Sequence, residues 1–173
     1  MGSNTPNIVI DINSTMAISS AIFISVIGPS VFIVQPGFVQ GLVELLNFSE
    51  QEAGYLAAAE MWGIAVTTVL LTFLTARLNW RQLILISAVL MVAGNLASLL
   101  FSDPLIFGVT RVVVGIGAGT MISLGFTILG LTSNPGRNFA YMVMWVSLYG
   151  GLVMILLPTA FNLIGMKGLL IFF

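Results

Sequence analysis

The chain has 173 residues, 58% of them hydrophobic and only 6% charged, with a mean hydropathy of +1.12 and a formal net charge of −1. A soluble domain carries about 25% charged residues, so this composition cannot cover a water-facing surface, and the missing basic excess excludes a nucleic-acid footprint. Cysteine and histidine are both absent, which removes disulfides, thiol chemistry, haem ligation and zinc sites built on those ligands. No metal and no cofactor is therefore expected, and the bilayer is the expected surroundings of an all-α, polytopic helical bundle.

The opening residues carry no Lys or Arg and include Asp11. They lack the charged region of a cleavable signal peptide, so the first helix is expected to be retained. Five apolar runs follow, continuous and about twice as long as the ten-residue alternating segments of a membrane β-barrel. The first predicted span covers residues 15–34 and contains Gly28-Pro29, a kink signal. A loop is expected from Gln35-Pro36-Gly37 to Gln51, ending in a capping box between Ser49 and Glu52. The second span covers 53–75 and contains Glu60. A short turn with Arg77 and Arg81 leads to a third span, 82–101, containing Asn95. Ser102-Asp103-Pro104 reads as a turn with proline at the first helical position, and the fourth span covers 105–131. After the turn at 133–137 the fifth span covers 139–161. A loop over 162–167 is expected, then the start of a sixth helix near residue 168. Six residues cannot cross a bilayer, because a span needs about twenty. The chain reads as one membrane domain over 1–173, cut at the opening of its sixth helix.

Lys and Arg in the connections set the orientation. Arg77, Arg81 and Arg137 fall on one side, against Lys167 on the side that holds Glu44, Glu50 and Asp103. The prediction is a multi-pass protein of the plasma (inner) membrane with a cytoplasmic N-terminus. Topology then gives depth. Glu60 and Arg111 each lie seven or eight residues into their spans, roughly 10–12 Å below the outer end at 1.5 Å per residue. Asn95 reaches the same layer from the opposite direction. A lone charge near the bilayer centre costs about 2.5–3.5 kcal/mol on insertion scales, so a Glu60–Arg111 pair is expected. Two readings stay open: a pair that only fixes helix packing, or one that binds substrate or relays a proton. Either predicts partial rescue when the two charges are exchanged. Asn95 is expected to hydrogen-bond between helices.

Gly115 and Gly119 follow Arg111 by four and eight residues and share its helix face, where another helix can approach closely. Tyr141, Trp145 and Tyr149 form one stripe on the fifth span, a candidate cavity lining. Tyr141 is also placed to be an ordinary interfacial anchor.

These residues resemble the N-terminal half of a major facilitator superfamily transporter. The family's turn after its second helix reads G-x-x-x-D-R-x-G-R-R. Here Thr72 to Arg81 reads TFLTARLNWR, matching at Arg77 and Arg81, with Ala76 for the aspartate and Asn79 for the second glycine. Arg111-x-x-x-Gly115-x-Gly117-x-Gly119 is similar to the family's fourth-helix Arg-Gly motif. The long first external loop and the short turns after it complete the likeness. The central Gly-Pro of the family's antiporters is missing from the fifth span, which has Gly150-Gly151 and a later Pro158. The resemblance implies inverted three-helix repeats and secondary transport of a small solute by alternating access, with a proton as candidate coupling ion. Arg111 would inherit the role of the family's fourth-helix arginine in proton coupling or substrate contact. Glu60 is nominated on depth and charge alone. Half a site cannot alternate access by itself, so the missing C-terminal helices or a complementing partner would be needed. The alternative is a non-transporting membrane protein, or an inactive fragment, acting through helix–helix association. An enzyme is not expected, since no catalytic constellation is present.

Overall fold

The computed structural model describes residues 11–101 and 103–172. All its regular structure is helical: α1 (Thr15–Ile27), α2 (Ser30–Leu46), α3 (Glu50–Leu74), a 3₁₀ turn (Thr75–Arg77), α4 (Trp80–Ser98), α5 (Pro104–Gly130) and α6 (Pro135–Phe172). Five stretches are long and apolar enough to cross a membrane: Thr15–Leu46, Glu50–Leu74, Trp80–Ser98, Pro104–Gly130 and Pro135–Gly165. The chain is thus built as a multi-pass membrane protein. In hydrocarbon every backbone polar group must be satisfied within the protein, and a helix does so within one segment.

The helix starts follow local chemistry. Ser49 and Glu52 form the expected capping box, with the Ser49 hydroxyl accepting from the Glu52 amide and the Glu52 carboxylate accepting from the Ser49 amide. Asn79 caps α4. Asp103 caps α5, with Pro104 in the first turn.

Two expected loops are helical instead. The chain does not leave its helix near residue 34. After a break at Gly28-Pro29, α2 runs through Gln35-Pro36-Gly37 to Leu46, and only residues 47–49 connect it to α3. Val34, Phe38 and Leu42 explain this: they recur every four residues, and all three are buried in one apolar cluster with Phe48, Leu56, Phe107 and Leu157. Burial of that stripe outweighs the turn preference of a Gln-Pro-Gly sequence. Asn47, in the left-handed conformation at φ 57°, ends α2. The expected loop at 162–167 shrinks likewise to one residue. Gly165 (φ 63°, ψ −169°) breaks the helix, and helical conformation resumes to Phe172.

α5 is the central helix, packed by α3, α4 and α1. Glycines permit this. A Cβ on Gly63 of α3 would lie 2.6 Å from the Val112 carbonyl of α5, and one on Gly115 would collide with the Glu60 carbonyl. Gly119 would meet the Ile64 carbonyl at 2.7 Å, and Gly117, turned toward α4, the Ser87 carbonyl at 2.7 Å. The backbones touch where the side chains are absent. The opposite faces of α3, α4 and α6 expose Trp62, Val69, Phe73, Val89 and Ile155, as a lipid-facing surface should.

Candidate functional site: a buried polar centre

Glu60, Asn95 and Arg111 come from α3, α4 and α5, and the fold brings all three together. Arg111 and Glu60 are each only 1% exposed. Arg111 Nη1 lies 3.7 Å from Glu60 Oε2, an ion pair too long to be a hydrogen bond. Arg111 Nη2 donates to Asn95 Oδ1 at 2.9 Å, to Ser98 Oγ at 2.5 Å and, more distantly, to the Gly94 carbonyl at 3.4 Å. The guanidinium contacts the faces of two aromatic rings, its carbon 5.6 Å from the centre of Phe38 and 5.4 Å from that of Phe107. Desolvated cation–ring contacts of this kind contribute about 2 kcal/mol.

Ser98 and Thr110 extend the centre. Ser98 Oγ lies 2.7 Å from Thr110 Oγ1, and Thr110 Oγ1 lies 2.6 Å from the Phe107 carbonyl. With one proton each, Ser98 can donate to Thr110 and Thr110 to that carbonyl, which leaves a Ser98 lone pair for Arg111. The sequence reading missed Ser98, Thr110, Phe38 and Phe107. Phe107 precedes Arg111 by four residues and shares its face, so its signal was available. Ser98 stands three residues after Asn95, on the same face of α4. Phe38 had no signal while its segment read as a loop.

Satisfaction is incomplete. Among the described residues, Glu60 Oε1 and Oε2, Asn95 Nδ2 and Arg111 Nε have no hydrogen-bond partner. Each such group normally costs about 1–3 kcal/mol, more when charged. The centre therefore carries two free acceptors on a carboxylate and two free donors beside it.

The other candidates lie elsewhere. Trp145 and Tyr149 line an apolar groove of about 510 Å³ between α1 and α6, with Ser19, Phe23 and Leu148. Tyr141 is not among its lining residues and is 47% exposed. Arg77 ends the 3₁₀ turn, Arg81 lies in the first turn of α4, and both are exposed. Ser133 donates its amide to Asn13 Oδ1 at 2.7 Å. The start of α1 and the α5–α6 turn therefore share one end of the bundle, and helix alternation puts Arg77, Arg81 and Arg137 there too. At the other end the Phe48 and Phe107 rings meet at a tilt of 60°, their centroids 5.7 Å apart. The chain matches no protein-family model, no curated protein and no solved structure.

Proposed function

We propose that this bundle is a unit of a secondary transporter of the major facilitator kind, moving a small solute by alternating access without altering it chemically. Glu60 and Arg111 are its ion-coupling pair, with Asn95 orienting the arginine. The arginine-bearing end faces the cytoplasm, the membrane is the plasma (inner) membrane, and a second helical unit supplies the opposing half of the solute path. The observation that carries this reading is the set of unpaired polar atoms on Glu60, Asn95 and Arg111 at the centre of a membrane-spanning bundle. A pair retained for packing alone gains from having its lone pairs filled, and apolar residues of the same volume often pack as stably. Ionisable groups inside a membrane mark ion and substrate paths by default.

A second reading, helix association without transport, has its own support. The pair is closed to its surroundings and sits where Gly63 and Gly115 lock α3 to α5. Proteoliposomes with a pH-sensitive dye inside separate the two. The bundle or its Glu60→Gln variant is reconstituted together with the helical unit that completes the solute path, and a panel of sugars, amino acids, organic cations and carboxylates is added outside. At least one class should drive proton movement in the parent and none in Glu60→Gln, with both proteins eluting as folded species. No proton movement with any class, together with a Glu60→Gln variant clearly less stable than the parent, overturns the transport reading and selects the packing one.

A further inference from the structure

The first membrane span is two helices, and they are held differently. α1 packs on α5 and α6, whereas α2 packs chiefly on α3 and α6. Between them Pro29 (φ −83°, ψ 6°) has no N–H to give the carbonyl four residues back. Gly28 is seated on the central helix, where a Cβ would lie 3.0 Å from the Ala118 carbonyl and 3.1 Å from the Ile122 amide nitrogen. The break is thus fixed at its foot. Pro36 removes a second hydrogen bond inside α2, two residues before Phe38.

Phe38 is 1% exposed and covers the Arg111 guanidinium. With Leu42, Phe48, Leu56 and Phe107 it makes the apolar layer that separates the polar centre from the Glu44 and Glu50 end. Among these five, Phe38 and Leu42 belong to α2. Phe38 lies nine residues beyond Pro29, about 13 Å along the axis, so a tilt of roughly 17° at the break moves its ring by about 4 Å. That is enough to lift the ring off Arg111; the α2 contacts with α3 and α6 slip in the process, while the Asn95 and Ser98 contacts to Arg111, made from α4, stay in place.

We infer that α2 is a lid hinged at Gly28-Pro29, and that Phe38 is the residue by which it closes the Glu60–Arg111 centre toward the Glu44 and Glu50 end. The inference extends the transport reading, but its test measures access to the centre and does not depend on whether any solute moves. The natural absence of cysteine makes a single reporter clean. The Ser98→Cys variant of the full chain, in lipid nanodiscs, is treated with the small hydrophilic ethylammonium methanethiosulfonate, and the modification rate is followed.

Adding Phe38→Ala should raise that rate at least about tenfold, the change expected when a closed state loses its main contact. Phe38→Leu should give a smaller rise, and Pro29→Ala, which restores a helical hydrogen bond, should lower the rate. Phe23→Ala, on the exposed face of α1, should leave it unchanged. Parental rates in both Phe38 variants, with helix content and elution unchanged, overturn the inference. So does an equal rise in Phe23→Ala, which would mean general loosening. If Phe38→Ala fails to fold, Phe38→Leu and Pro29→Ala decide, and parental rates in both reject the lid.

Discussion

Arg111 shows why the sign of a charge and its position inside a membrane are not interchangeable. Its guanidinium faces one carboxylate and three neutral acceptors, Asn95 Oδ1, Ser98 Oγ and the Gly94 carbonyl. Breaking a buried pair from one side leaves a bare charge and costs about 3–5 kcal/mol. Arg111→Met and Glu60→Met should each lose stability of that order in denaturant titration of the micellar protein. The double variant should recover most of the loss, since no charge is left uncompensated. The charge exchange Glu60→Arg/Arg111→Glu should not recover it, contrary to what sequence alone suggests. A shorter carboxylate at position 111 would face the Gly94 carbonyl, would need Asn95 to turn its amide and Ser98 its hydroxyl to serve it, and would forfeit both aromatic contacts. Recovery by the exchange equal to that of the Met pair would show that Coulomb attraction alone sets the centre. The pairing itself was legible, because depth follows from topology and a lone charge is costly. The cradle was not, because neutral side chains such as Ser98 carry no depth signal of their own.

At the scale of elements, the helix starts could be read and two of the helix ends could not. Ser49 with Glu52, and Asp103 with Pro104, are local hydrogen-bonding solutions, so the sequence displays them. Gln35-Pro36-Gly37 and Asn162 to Lys167 display turn formers, but turn formers mark turns where water can bond the freed backbone. In a bilayer, neighbouring helices and continued helical bonding decide instead, and α2 and α6 run on. The same contrast makes glycine positions predictable from contacts rather than from composition. Gly63→Ala and Gly115→Ala place a methyl against backbone and should cost about 1–3 kcal/mol, the usual penalty of overpacking. Gly54→Ala in α3 meets nothing within 4 Å and should be neutral or stabilise by up to about 1 kcal/mol through helix propensity. Thermal unfolding in detergent orders the three. A Gly115→Ala protein as stable as Gly54→Ala would mean that α3 and α5 are not in backbone contact.

For the whole molecule, the charge asymmetry between its two ends is what bears on its orientation in the bilayer. The Asn13–Ser133 hydrogen bond ties the start of α1 to the α5–α6 turn, and helix alternation brings the α3–α4 turn to the same end. Arg77, Arg81 and Arg137 are therefore three exposed cations at one end, while Glu44, Glu50 and Asp103 lie at the other. Cytoplasmic loops collect Lys and Arg, so Asn79→Cys and Asn134→Cys should react with an impermeant maleimide only from the cytoplasmic side. Glu50→Cys should react only from the opposite side. All three positions are exposed, so a failure to react reflects the side and not burial. Three cations against few is a narrow margin, which gives the prediction a second part. Replacing Arg77, Arg81 and Arg137 together with Gln should yield a mixed population labelled from both sides, while each single replacement keeps the parental pattern. Uniform labelling of the triple variant from the cytoplasmic side would mean that packing fixes the orientation without the charges. Labelling of Asn79→Cys from outside would invert the bundle and place the Phe38 lid on the cytoplasmic face.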